Sequence, residues 1–316
     1  MLFWAGAVSP AGAQDSENLS NLATRFASLT AVTGYEQAAV DTLLRLLDGA
    51  GRDRGGNARL QLGGGSSPTR RLVVCPLDEP GYVVGHIRED GYLTLRRVPG
   101  PVPPLFDQQI EGHRVTIQGV KGSVPGVVAV RSIHLTRGRE APAEAPFSVD
   151  DAFVDVGAGS PAEVVRLGIR VLSPVTLTKR PHRYGQGLLA APMAGRRTAC
   201  AALLLAVRQS RLQAKLLPPV TVAFAVQHQL SHRGLATLGN TAGPFTETLL
   251  VDAVPGSPGR VTRSAAGDSV SWPRELGRVI QWGLPVKFAG TPVETVALAD
   301  ADALRAMMVR WIGGAE

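Results

Sequence analysis

The chain has 316 residues, of which 44% are hydrophobic, 5% aromatic and 19% charged. That composition suits a globular α/β protein of one or two domains and excludes a disordered or fibrous chain. No apolar run approaches the roughly 20 residues that a spanning helix requires, which excludes a membrane span. The net charge is +7, yet the Arg residues are scattered in pairs such as Arg70-Arg71, Arg96-Arg97 and Arg196-Arg197. With no long basic block and no interleaved aromatics, a nucleic-acid partner is not expected.

Met1 to Val8 is apolar, and Ala11-Gly12-Ala13 is a small-x-small pattern before Gln14. Residues 1–13 therefore read as the end of an export signal, without the usual basic start, and predict a periplasmic or secreted protein. Leu19, Leu22, Phe26 and Leu29 recur at helical spacing and stop near Gly34, and a second helix is predicted from Tyr35 to Leu47. Gly51 to Ser67 reads as a loop with at most one short strand, and Arg71 to Cys75 as a buried strand. Between Gly81 and Thr178 the pattern changes to short β-rich runs broken by Gly and Pro: GYVVGHI, YLTLRRV, HRVTIQGV, GVVAVRSI, AFVDVG and RVLSPVTL. Their spacing predicts a small antiparallel barrel or sandwich. Helix-strand alternation then resumes, with a helix over Arg197–Leu216, strands at Val220–Val226 and Leu249–Asp252, and a closing helix at Ala301–Ile312. The reading is an α/β domain formed by residues 17–80 and 180–316, carrying an inserted β-rich domain at 81–179.

An ordered set of segments resembles the TET or glutamyl-aminopeptidase family of dinuclear metallopeptidases. The matches are Thr33-Gly34-Tyr35-Glu36, Gly56-Asn57, Leu77-Asp78-Glu79 with Gly81 to Val84, Ile133-His134-Leu135, and Val154 to Ala158 with Leu167-Gly168-Ile169. Arg233-Gly234, Val251-Asp252 and Thr291-Pro292-Val293-Glu294 follow in the same order. The resemblance implies a zinc-exopeptidase-like sheet flanked by helices, with an inserted small β-barrel domain that often serves homo-oligomerisation. It also implies two zinc or cobalt ions held by His and carboxylates, a metal-bound water and a Glu base.

The ligand positions depart from that pattern one after another. Pro76 stands where the family has its first His, leaving Asp78 with no imidazole to orient. Gly195 falls at the bridging Asp, or Ala194 if the match slips by one. His228 takes the general-base position and Gln229 the following ligand, Asp252 remains, and Gly290 replaces the last His. The interval from Asp252 to Gly290 is also shortened, and the Gly-Thr-Asp-Ala substrate segment is not recognisable. One carboxylate of five ligands gives no basis for two cations about 3.5–4 Å apart, and an inward guanidinium from Arg196 or Arg197 would repel a cation further. The expectation is a catalytically silent pseudopeptidase with no metal cofactor, whose former pocket (Asp78, His228, Gln229, Asp252) serves peptide or protein binding or scaffolding. The alternative is an active metallo-aminopeptidase, or another hydrolase, rebuilt around His228 and Asp252, with His232 as a further ligand and zinc or cobalt as cofactor. Cys75 borders the lost His position, and a Cys-His nucleophilic pair with His228 is a minor variant. Cys75 and Cys200 are read as two buried thiols, with a disulfide left open. His134 is read as structural.

Overall fold

A computed structural model describes residues 18–64, 69–98, 100–129, 147–212, 217–265 and 272–314. Residues 1–13 and the Ile133-His134-Leu135 segment lie outside the described residues. The first helices are α1 (Leu19–Ala27) and α2 (Gln37–Leu46). Asn18 starts α1 by accepting the Asn21 amide on its side chain, which satisfies one of the orphan donors of a first turn. The helix stops at Ala27, well short of Gly34. The loop expected at 51–67 holds two strands, β1 (Gly51–Arg52) and β2 (Ala58–Leu62), and β3 (Arg71–Pro76) follows.

The six β-rich runs form β4 (Tyr82–Ile87), β5 (Leu93–Arg97), β6 (Arg114–Gly119), β7 (Gly122–Ala129), β8 (Phe153–Asp155) and β9 (Pro174–Leu177). They close into a barrel in the order β4-β5-β8-β7-β6-β9, and Val164 of α3 (Pro161–Arg166) is buried in the same core. Closure removes every free strand edge, and period-two alternation sends Val84, Leu95, Val115, Ile117, Val154 and Val175 into one core.

The chain then returns through β10 (His182–Tyr184) and β11 (Leu188–Ala190) to α4 (Ala194–Arg211), β12 (Val220–Ala225), α5 (Arg233–Ala242) and β13 (Glu247–Pro255). It ends with β14 (Thr262–Ala265), β15 (Arg278–Lys287), β16 (Thr295–Ala297) and α6 (Leu298–Ile312). The main sheet runs β1-β2-β12-β3-β13-β15-β16-β11-β10, with β14 on β15. Its centre, β12-β3-β13-β15, is parallel. Such strands are covered on both faces, which is why RLVVC reads as an unbroken apolar run. Val73 and Cys75 face the helices α1, α2, α4 and α6, while Leu72 and Val74 face α5. The alanines of α4 let it lie close over β3 and β13.

At the junction of barrel and sheet, Glu79 accepts the Ala31 amide at 2.9 Å and is ion-paired with Arg197 of α4 at 3.1 Å and with Lys179, just past the end of β9. Two buried cations share that carboxylate, and burial pushes the Lys179 amine down to about 8 despite it.

Candidate functional site

Parallel strands converge on one rim of the sheet, where Pro76 ends β3 in register with Ala225 at the end of β12, and Asp252 projects from β13. Carboxyl ends of strands are where α/β sheets place ligands. The first turn of α4 meets this rim, and its Arg196 fills it. Arg196 Nε and Nη2 each donate at 2.8 Å to Asp252 Oδ1 and Oδ2, and Nη1 donates at 2.9 Å to the Asp78 carbonyl. The Arg196 and Asp252 side chains are 11% and 10% exposed. A fork-to-fork pair of this kind is the strongest arrangement for a guanidinium and a carboxylate. Burial opposes the Arg196 charge most, but the carboxylates around it, Asp252 first and then Asp78 and Glu294, together raise the Arg196 pKa.

Asp78 has a structural role. Its Oδ2 accepts Thr33 Oγ1 and the Gln229 amide, both at 2.9 Å, and it thereby ties two loops together. Its Oδ1 has no hydrogen-bond partner among the described residues. Glu294 ties together Gly195 and Gly290, accepting their amides at 2.9 Å each. A Cβ on Gly195 would lie 2.3 Å from Val286 Cγ1 and 2.7 Å from Ala253 Cβ, so no side chain fits there. Ala194 is buried beside it.

His228 turns toward His232 instead of joining Asp252, with the two Nδ1 atoms 3.1 Å apart, and His232 stacks on Trp272. Burial, then the Arg196 charge, pushes His228 down to about 3, so its imidazole is neutral at physiological pH. Among the described residues, no three His, Cys, Asp or Glu side chains converge as a metal site. Both Asp252 oxygens are spent on Arg196, so the donor set does not fit a pair of divalent cations. Cys75 and Cys200 form a disulfide between β3 and α4. This corrects the reading of two thiols and removes Cys75 as a nucleophile for His228.

A cavity of about 220 Å³ remains between barrel and sheet, with Tyr82, Phe106 and Leu177 on one wall and Arg196, Asp252 and Glu294 on the other. Gln229 lines it as well. The Glu79-Lys179-Arg197 cluster escaped sequence reading, although Lys179 closing the β-rich stretch and Glu79 in the matched segment were both visible.

A mixed sheet between helix layers, a closed six-stranded barrel and a rim at the strand ends define an aminopeptidase-like architecture. The family model of M42 glutamyl aminopeptidases matches residues 56–266, and the chain belongs to that family. It is 32% identical to the putative aminopeptidase SgcX of Escherichia coli (strain K12) over 65% of this chain and 54% of that protein. It is 30% identical to the lysyl aminopeptidase of Pyrococcus furiosus over 56% of this chain and 51% of that enzyme. The chain thus spans about half the length of these two relatives. Among solved structures, the TET1 peptidase of Pyrococcus horikoshii superposes with a TM-score of 0.81 at 20% identity, covering 93% of this chain and 99% of that one. It is described as able to assemble into a tetrahedron or a large octahedral shell. The aminopeptidase of Desulfurococcus kamchatkensis superposes at 0.79 with 19% identity, covering 94% and 95%.

Proposed function

We propose that this chain is a catalytically silent M42 homologue, a pseudopeptidase that binds or scaffolds peptide or protein in its former pocket. The observation that carries the reading is the Arg196 guanidinium seated on both oxygens of Asp252, the one ligand carboxylate left. A fixed positive charge on the protein satisfies that carboxylate and opposes a divalent cation beside it. Loss of His at Pro76 and Gly290 and of a carboxylate at Gly195 supports the same reading. Peptide hydrolysis in this family draws on zinc or cobalt to polarise the bond and activate water, and neither is expected here.

The disulfide between Cys75 and Cys200 supports a periplasmic or secreted location, since such bonds persist in oxidising compartments. Likeness to a shell-forming peptidase supports self-association, which light scattering on the full chain will read. The deciding test is elemental analysis of dialysed protein together with hydrolysis of aminoacyl-p-nitroanilides in added zinc or cobalt. The expected result is no stoichiometric metal and no turnover. Turnover that disappears with a chelator and in His228→Ala would establish the rebuilt site and end the pseudoenzyme reading.

A further inference from the structure

The cavity between barrel and sheet is lopsided in its hydrogen bonding. The carboxylates among its described lining residues are spent. Glu79 takes the Ala31 amide and Arg197 on one oxygen and Lys179 on the other. Both oxygens of Asp252 are held by Arg196, and Glu294 has a backbone amide on each. The donors are not spent. Arg196 uses three of its five N–H groups, which leaves one on each terminal nitrogen, and Lys179 uses one of three on Glu79. Thr176 lines the same cavity at 5% exposure, and its Oγ1 has no hydrogen-bond partner among the described residues. Because Val175 packs into the barrel core, alternation along β9 sends Thr176 out of the barrel, to the cavity side. A buried hydroxyl without a partner costs free energy that an acceptor on a ligand would recover.

The charges point the same way. Glu79 is one carboxylate to two buried cations, Lys179 and Arg197. Glu294 also acts on Lys179, but burial raises its pKa and its oxygens are turned onto backbone amides. An ammonium entering here would meet cations and no unspent carboxylate oxygen, whereas a carboxylate would meet donors. Another part of the wall is apolar, with Leu177 and the stacked rings of Tyr82 and Phe106, whose centroids are 5.6 Å apart. The volume of about 220 Å³ exceeds the ~150 Å³ that accommodates benzene, which leaves room for one aromatic or branched side chain. We propose that the cavity holds the free α-carboxylate of an apolar residue whose own amine is acylated, as at the C-terminal end of a peptide. Arg196, Lys179 and Thr176 take the carboxylate. This ligand presupposes the non-catalytic pocket proposed above, and it offers the end of a peptide opposite to the one an aminopeptidase removes.

Isothermal titration calorimetry of the full chain with N-acetyl-phenylalanine, N-acetyl-phenylalaninamide and phenylalaninamide tests this directly. The acid should bind saturably at one site per chain. The doubly blocked amide should bind at least about tenfold more weakly, having lost the charge. Phenylalaninamide, which carries only an ammonium, should not bind. Thr176→Val keeps the shape of the side chain and has no hydrogen bond to lose, so it should fold as wild type while weakening the acid by roughly tenfold. Lys179→Met should weaken it by a similar factor; where loss of the buried pair prevents folding, Thr176→Val still decides. Equal binding of acid and blocked amide would overturn the proposal, as would wild-type affinity in Thr176→Val or a site that prefers phenylalaninamide. Failure of the acid to bind would overturn it too, and in dialysed protein without metal or turnover would leave the pseudopeptidase reading in place. Binding of phenylalaninamide only in added zinc would remove both.

Discussion

At the scale of single residues, the pocket is held by charge pairs whose removal is costly because they are buried. Arg196→Ala leaves the Asp252 carboxylate without its guanidinium in a site where both are about one-tenth exposed. Breaking such a pair from one side costs about 3–5 kcal/mol, and urea unfolding should read a loss of that order. Arg196→Lys should recover only part of it, since an ammonium does not reproduce the two parallel bonds. A neutral Arg196→Ala would mean that the pair is not holding the rim. His228 adds a pH dependence of defined sign. Its folded pKa is depressed to about 3, whereas the unfolded chain takes up a proton near 6.5. Between those values the unfolded state binds more protons, so the His228 contribution is complete above pH 6.5 and is lost as pH falls toward 3. Wild type should therefore lose stability relative to His228→Gln between about pH 6.5 and 4 in paired unfolding titrations. A difference that stays constant with pH would contradict the burial of a neutral imidazole.

At the scale of elements, the disulfide fastens α4 to β3 one turn behind Arg196, across a sequence separation of 125 residues. Cross-links that close long loops restrict the unfolded chain most, and removing one costs about 2–5 kcal/mol. The double variant Cys75→Ala with Cys200→Ala should show a drop of that size in guanidinium unfolding. An unchanged midpoint would show that packing alone seats the helix. Spacing did not reveal this bond, because two cysteines that far apart meet only once β3 and α4 are stacked. The barrel strands were legible, being alternating runs bounded by Gly and Pro. By contrast, β15 was not: it contains Gly283 and Pro285, residues that argue against a strand interior. Its surroundings explain both. Pairing to β16 starts only at Val286, so Pro285 has no bond to spoil on that side, and a Cβ on Gly283 would lie 2.5 Å from Val254 Cγ1. That Pro76, Gly195 and Gly290 offer no metal-binding side chain can be read from the sequence directly. The direction of Arg196 cannot. A charged residue in a first helical turn ordinarily faces water, and what turns this one inward is a carboxylate 56 residues later.

At the scale of the whole molecule, stability should be indifferent to metals, and this follows from linkage. A ligand that binds only the folded state stabilises it by RT times the logarithm of one plus its concentration over Kd, about 2.7 kcal/mol at a hundredfold excess over Kd. For a chain of this length that corresponds to an upward shift in Tm of roughly 4 °C, easily resolved by calorimetry. Zinc or cobalt should produce no such shift here, because both Asp252 oxygens are held by Arg196 and Pro76, Gly195 and Gly290 offer no ligand side chain. Chelator should likewise leave Tm in place. Restoring one ligand through Pro76→His should not create the response, since the bridge would still be absent. Gly195→Asp should lower Tm rather than restore the bridge, because its Cβ would collide with Val286 and Ala253. Overpacking of that kind costs about 1–3 kcal/mol. A dose-dependent rise in the Tm of wild type with zinc, reversed by chelator, would require Arg196 to swing off Asp252 and would replace the locked site with an inducible one.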